Sequence, residues 1–429
     1  MNFRHAFLPA LTTLAASAIL LTACGNVGGA ASGSGSDSAS LRVGTLSGYE
    51  DFQTPQTQYS KLHPGVSFQD SQSPSNTYQA VTSAQLNAGT APDIIDVWGG
   101  AGNAMAVGQL VPKNELADLS GQPWAASEPT IVKNDLTVKG KLYAQASYVL
   151  PTGIVYNRTL AKTLGVTPPE TFGQLLSFCR TVSAKGITPI ALGNQTGSEN
   201  ELVPGQIADD LIYSQDPSWP SQVQSGQASF SGNSLWNQAL LKAITDYAQM
   251  NDAKCFESDS TGVSADEAYQ MVATNKALGI DIFTNAIPGI TADDPSIQLG
   301  TFGVPADNDP AHTWVTGDLG FAGAINAKSA NVKAAESYLD YLATPAVSAA
   351  SAKANYGLST NPGVRASGSS VLSGFTGPYQ AGRFALFPSN YYPNYNVKLT
   401  MIAQMENLLS GATTIPKAMS AIEASYGGK

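Results

Sequence analysis

Trp98 closes an apolar run, Ile94-Ile95-Asp96-Val97, and is followed by Gly99, Gly100 and Gly102. An indole among glycines at the end of a strand suits stacking against the C–H face of a sugar, with plain core packing as the other reading. In open α/β sheets the carboxyl ends of strands are where ligands sit. Other chemistries find less support. Gly100-Ala101-Gly102 imitates the opening of a dinucleotide fingerprint, but Met105 occupies the third glycine position. GxSxG, HExxH and CxxC are all missing, and the three histidines, His5, His63 and His312, lie far apart. No metal or cofactor is implied. An exported glycosidase needs only two carboxylates across a cleft, so an enzyme stays open as the remote alternative.

Strands and helices alternate, as a sheet flanked by helices requires. Leu41 to Gly48 reads as a first strand, Gln53 to Leu62 as a helix, and the chain turns at His63-Pro64-Gly65 into a second strand. Tyr78 to Asn87 is a helix before the Ile94 strand. Gly140 to Asn157 reads as two extended runs, Leu142–Val149 and Ile154–Tyr156, separated at Pro151-Thr152-Gly153. That break is either a bend at a sheet edge or a passage between two lobes. Thr171 and Gln174 have capping-box spacing ahead of a helix whose apolar face holds Phe172, Leu175, Leu176, Cys179 and Val182; Gly186 ends it. Further helices are expected over Ser234–Gln249, Ser264–Thr274, Asn331–Ala343 and Val397–Leu409.

The chain has 429 residues, is 43% hydrophobic and 13% charged, and carries a net charge of −10. That length accommodates two or three domains. The acidic balance gives no footprint for nucleic acid and no polybasic membrane surface. A single Arg4, an apolar stretch from Ala6 to Leu21 and Leu21-Thr22-Ala23-Cys24 form an export signal at 1–23. Gly25 to Ser40 is a Gly/Ser/Ala tether, reaching roughly 20–25 Å as flexible coil. No other apolar run approaches spanning length, so the body is expected to fold in water. Cys179 and Cys255, in an oxidising compartment, are either paired or two separately buried thiols.

The order of these pieces resembles the extracellular solute-binding proteins of ABC importers, in the branch that includes the maltose-binding protein. The resemblance rests on Ala88-Gly89-Thr90-Ala91-Pro92-Asp93, Gly140-Lys141-Leu142-Tyr143, Tyr156-Asn157, Pro168-Pro169-Glu170-Thr171-Phe172, Gly186-Ile187-Thr188-Pro189-Ile190 and Gly320 with Ala324, Ile325 and Ser329. The Leu-Thr-Ala-Cys tetrapeptide resembles a lipoprotein box, which implies diacylation at Cys24. Ala273–Ala286 departs from the family's pattern, with Asn275 for a glycine, Leu278 for a methionine and the aromatic, Phe283, one residue early.

The resemblance implies a two-lobed α/β fold of the type II periplasmic-binding class, each lobe a sheet with helices, joined by crossover strands. The first lobe would hold 41–152 and about 322–362; the second would hold 153–321 and about 363–429. It also implies a carbohydrate ligand, probed by Tyr49, Glu50 and Asp51 after the first strand, by Trp98, and by Asn194 and Gln195. Asp281 and Phe283, then Trp314 and Asp318 at the second crossing, and one of Tyr391, Tyr392 and Tyr395 follow from it too; Asn103 and Tyr148 complete the set. The implied partners are permease subunits, with a monomer lipid-anchored on the outer face of the membrane. A binder of a non-sugar solute, or a surface lipoprotein without a transporter, remains the alternative.

Overall fold

The computed structural model describes residues 38–49, 52–196, 198–364 and 370–427. The signal, Cys24, and Glu50 and Asp51 lie outside them. Within the described residues no helix is long and apolar enough to cross a membrane.

The strands, in chain order, are β1 (Ala39–Leu46), β2 (Val66–Ser73), β3 (Ile94–Asp96), β4 (Thr137–Val138), β5 (Lys141–Leu142), β6 (Ala144–Ala146) and β7 (Tyr148–Asn157). They continue with β8 (Thr188–Ala191), β9 (Ala277–Phe283), β10 (Leu299–Phe302), β11 (Val315–Leu319), β12 (Ala322–Ile325), β13 (Leu358–Ser359) and β14 (Phe384–Leu386). One five-stranded sheet runs β2-β1-β3-β12-β6. A second runs β14-β11-β7-β9-β8, with β10 and β13 also paired to β7, and β4-β5 is a separate hairpin. The two sheets are the frameworks of two lobes. β1 alternates as a strand with one buried face must: Leu41, Val43 and Thr45 are buried, while Ser40 and Arg42 are exposed. The helix Gln53–Leu62 covers the first sheet, and its Tyr59 packs edge-to-face against Phe68 and Tyr338 and tilted against Tyr341.

β7 is the axis of the second lobe. One edge pairs with β11 and then β10; the other pairs with β13 and then β9. The strand therefore runs unbroken through Pro151, Thr152 and Gly153, and the break expected there is absent. β13 ends opposite Val149 and β9 begins opposite Thr152, so the N–H that Pro151 lacks removes no bond on that edge. Gly153 is required for closeness: a Cβ would stand 2.9 Å from both the Phe302 carbonyl oxygen and the Phe375 ring. The passage between sheets falls earlier, at Ser147, which places Tyr148–Thr152 in the second sheet rather than the first.

The chain crosses between the sheets again at Gly320-Phe321, between β11 and β12. It returns to the second sheet before β13, and these crossings are bonded together. Gly320 N donates to the Tyr148 carbonyl at 3.0 Å, and Thr360 N donates to the Ser147 carbonyl at 3.1 Å. Ser348 Oγ adds a 2.6 Å bond to that same Ser147 carbonyl.

Cys179, on the helix Phe172–Ser183, is paired with Cys255, which follows the helix Ser234–Asp252; their Cα atoms are 4.7 Å apart. Both are fully buried, and Cys255 O accepts from Ile190 N at 2.9 Å, tying the bridge to β8. The bridge closes a loop with a sequence separation of 76, for which chain entropy gives about 4.5 kcal/mol. A Cys179→Ala/Cys255→Ala variant should lose about 2–5 kcal/mol of unfolding free energy, read by denaturant titration. An unchanged midpoint would mean the bridge is not formed in solution.

Candidate functional site

Side chains from both sheets converge where the lobes meet. The loop after β1 brings Tyr49, the end of β3 brings Asp96, and the start of β7 brings Tyr148. The end of β9 brings Phe283, the end of β11 brings Asp318, and the turn Pro388–Tyr391 after β14 brings Asn390. Tyr148 and Leu150 form one apolar cluster with half-buried Tyr49 and Phe283 packed against it. Phe283 also faces Phe387, ring centroids 5.6 Å apart. Gly320 and Gly357 hold the Tyr148 ring, since a Cβ on either would stand 2.1 or 2.8 Å from it.

Asp96 is a positioning group. Its carboxylate accepts from Thr45 Oγ1 at 3.2 Å, from Ala322 N at 3.0 Å and from the Tyr49 hydroxyl. It thereby fixes Tyr49 to the strand that has just crossed. Burial raises its pKa to about 7, against those donors. Burial, aided by the Asp96 charge, holds the Tyr49 phenol well above its ordinary value. Asp318 is half-buried; its Oδ1 accepts from Leu319 N at 2.9 Å and faces Asn390 Nδ2 at 3.4 Å. Burial lifts it to about 6, with Lys398 pulling down and Glu201 pushing up. Lys398 is paired with Glu201. Aromatic faces, a carboxylate and an amide thus stand together, a mixture able to stack on apolar faces and exchange hydrogen bonds with hydroxyls. Among the described residues no group of three or more His, Cys, Asp or Glu is placed to hold a metal ion.

Beside this cluster the lobes touch directly. Ala101 N and Gly102 N both donate to the Asn390 carbonyl at 2.9 Å. The Tyr391 hydroxyl donates to Asp135, at the end of the first-lobe helix Thr130–Asp135. Asn134 Nδ2 reaches Ser221 Oγ at 3.0 Å. Burial raises Asp135 to about 8; the Tyr391 bond works against this and the Asp318 charge with it.

The sequence-derived candidates divide into three groups. Tyr49, Tyr148, Phe283 and Asp318 come together, and Tyr391 bridges the lobes beside them. Trp98 is half-buried, 6.2 Å from Tyr78, and packs on the first-lobe core; Asn103 Oδ1 caps its own turn by accepting from Met105 N at 2.8 Å. The others are not brought to the junction. Asn194 Nδ2 bonds Asn200 Oδ1 at 2.6 Å in the second-lobe interior, and exposed Gln195 bonds through its backbone to Val263. Both oxygens of Asp281 take Gln206 Nε2 at 3.0 Å. Trp314 packs on Tyr213 at 5.1 Å, and Tyr392 is core beside Phe230 and Trp236. Tyr395 is 40% exposed at the start of the helix Tyr395–Leu409. Asp96, Asp135 and Asn390 escaped the sequence reading. A signal existed for Asp96 alone, a charge inside the buried run Ile94–Val97.

The model of the bacterial extracellular solute-binding protein family matches residues 44–349. Among curated relatives, the chain is 26% identical over 270 residues to the multiple sugar-binding protein of Streptococcus mutans, covering 62% of this chain and 61% of that one. It is 24% identical over 300 residues to the melibiose/raffinose/stachyose-binding protein MelE of Bacillus subtilis, covering 67% and 65%. The chain thus spans less than two thirds of either relative's length. A Bacillus licheniformis sugar transporter protein, solved in complex with stachyose, superposes with a TM-score of 0.69 at 18% identity, over 90% of this chain and 98% of that one. At that identity the likeness speaks for the fold.

The raised carboxyls of Asp96, Asp318 and Asp135 favour their protonated forms in the fold. Against an ordinary unfolded value near 3.9, their contribution to stability is complete below about pH 4 and is lost as pH rises through about 6 to 8. The melting temperature should therefore fall between about pH 4 and 8. Asp135→Asn should flatten the upper part of that decline. A wild-type midpoint that stays level or climbs across the interval would contradict the assignment.

Proposed function

Because the chain belongs to the bacterial extracellular solute-binding protein family, we propose that it captures a neutral carbohydrate between its lobes and delivers it to the membrane subunits of an ABC importer. The observation that carries this is the convergence of Tyr49, Tyr148 and Phe283 on one another at the lobe junction, with Asp318 and Asn390 beside them. A sugar offers apolar C–H faces to such rings and hydroxyls to such acceptors. The names of the curated relatives and the stachyose complex point to the same ligand class. In this reading the protein alters no bond in its ligand; closure of the lobes buries it, and the closed form is what the permease recognises. Cys24 carries the lipid that keeps the body on the outer face of the membrane, two acyl chains giving a stable anchor.

A thermal-shift screen against mono- and oligosaccharides tests the ligand class. A sugar at about 100 times its dissociation constant should stabilise the fold by about 2.7 kcal/mol. Phe283→Ala should then weaken that sugar about tenfold, the equivalent of about 1.4 kcal/mol of stacking and burial, read by calorimetry. A folded protein that answers no sugar belongs to a non-sugar solute; recovery of a cleaved sugar would make it an enzyme. Cys24→Ser should move the protein from the membrane fraction to the medium. Retention at the membrane would remove the anchor from the proposal.

A further inference from the structure

The contact between Gly100–Gly102 and Ser389–Asn390 is built to closer tolerances than lobe packing alone requires. Gly100 has φ +65°, in the left-handed region, and a Cβ there would stand 2.2 Å from the Asn390 carbonyl oxygen. A Cβ on Gly102 would stand 2.0 Å from the Ser389 carbonyl oxygen. Any side chain at either position would force the lobes apart, because the obstructing atoms are backbone. Only with both glycines bare can the Ala101 and Gly102 amides converge on one acceptor, each at 2.9 Å.

The first-lobe half is itself braced. Gly100 N donates to the Asp135 carbonyl at 3.0 Å, and Gly108 N donates to the Gly100 carbonyl at 2.8 Å. On the second-lobe side, Asn390 is buried and its amide faces Asp318 at 3.4 Å. One residue therefore touches both the candidate site, through its side chain, and the opposite lobe, through its carbonyl.

We propose that Gly100–Gly102 and Ser389–Asn390 form the latch that holds the lobes together, and that Asn390 is a positioning residue coupling Asp318 to it. The latch rests on the binding-protein reading but not on the ligand being a sugar. When the lobes part, two amides and a carbonyl pass to water; when they close, the pair of bonds forms only if the turn after β14 is in place.

The test is Gly102→Ala, with Gly121→Ala as control, since a Cβ at Gly121 meets nothing within 4 Å. Hydrogen exchange of the Ala101 amide reads the latch without knowledge of the ligand. Slow exchange in the wild type and in Gly121→Ala, lost in Gly102→Ala while amides within each sheet stay protected, is the expected result. Equally fast exchange in wild type and Gly102→Ala, both free and sugar-saturated, overturns the latch. With a responding sugar, Gly102→Ala should weaken affinity at least tenfold, and Asn390→Ala should weaken it less because the carbonyl remains. Undiminished affinity in Gly102→Ala would sink the latch and leave the carbohydrate reading standing. Protection of Ala101 in a protein that answers no sugar would do the reverse.

Discussion

The molecule depends on the hydrogen bonds that gather its crossings at Ser147 and Tyr148. The Ser147 carbonyl accepts from Thr360 N and Ser348 Oγ, the Tyr148 carbonyl from Gly320 N, and Thr360 Oγ1 reaches the Ala146 carbonyl at 2.6 Å. These groups are buried, where an unpaired peptide carbonyl would cost more than the bond itself contributes. The crossings are thus held as one unit, and the position of each sheet relative to β7 follows from it. Tyr148 belongs both to this hinge and to the aromatic cluster, so the floor of the candidate site is as fixed as the hinge.

Electrostatics around that floor is unusual for an acidic protein. Asp96, Asp135 and Asp318 stand close enough to sense Tyr49, Tyr391 or one another, while Lys398 is the cation acting on Asp318 and is shared with Glu201. Burying carboxylates with so little counter-charge is unfavourable unless donors surround them or they take up protons. Asp96 has the donors: Thr45, Tyr49 and the Ala322 amide. Asp135 is less well supplied, with one buried oxygen lacking a partner. The difference assigns roles. Asp96 is architecture, whereas Asp318, half-buried, retains capacity for a hydroxyl.

Elements with period and caps were legible in the sequence. The helix Gln53–Leu62 stands at its expected bounds, and Gly186, at φ +74°, follows the helix Phe172–Ser183 it was expected to stop. The Thr171 cap formed, but Gln174 turned its side chain to Glu170 N instead of completing the box. Spacing identifies a cap and leaves the choice between neighbouring amides to local geometry. Pro151 misled for a different reason: a proline interrupts a ladder only where a partner would have used its N–H, and that depends on strands arriving from residues 277 and 358 onward. The site was half legible. Tyr49, Tyr148, Phe283 and Asp318 carried a readable chemistry, but Asn390 acts through its carbonyl, which every residue possesses. Trp98, Asn194 and Asp281 had the right chemistry, and local packing and hydrogen bonds claimed them first.

Asp318 unites these observations. It lies in β11, two residues before Gly320, whose amide binds the hinge carbonyl of Tyr148. Its own carboxylate faces the Asn390 amide, and Asn390 holds the first lobe through its carbonyl. A short path of covalent and hydrogen bonds therefore runs from hinge to lobe contact with one half-buried carboxylate along it. A ligand hydroxyl that donated to Asp318 would compete with or reinforce the weak 3.4 Å approach of Asn390, and either change would be felt at the turn after β14. In the proposed function, stacking on Tyr49, Tyr148 and Phe283 would lack such leverage, because Asp96 holds Tyr49, the hinge holds Tyr148 and Phe283 ends β9. In the proposed reading closure is felt at the polar edge, while the aromatic floor stays where the hinge fixes it.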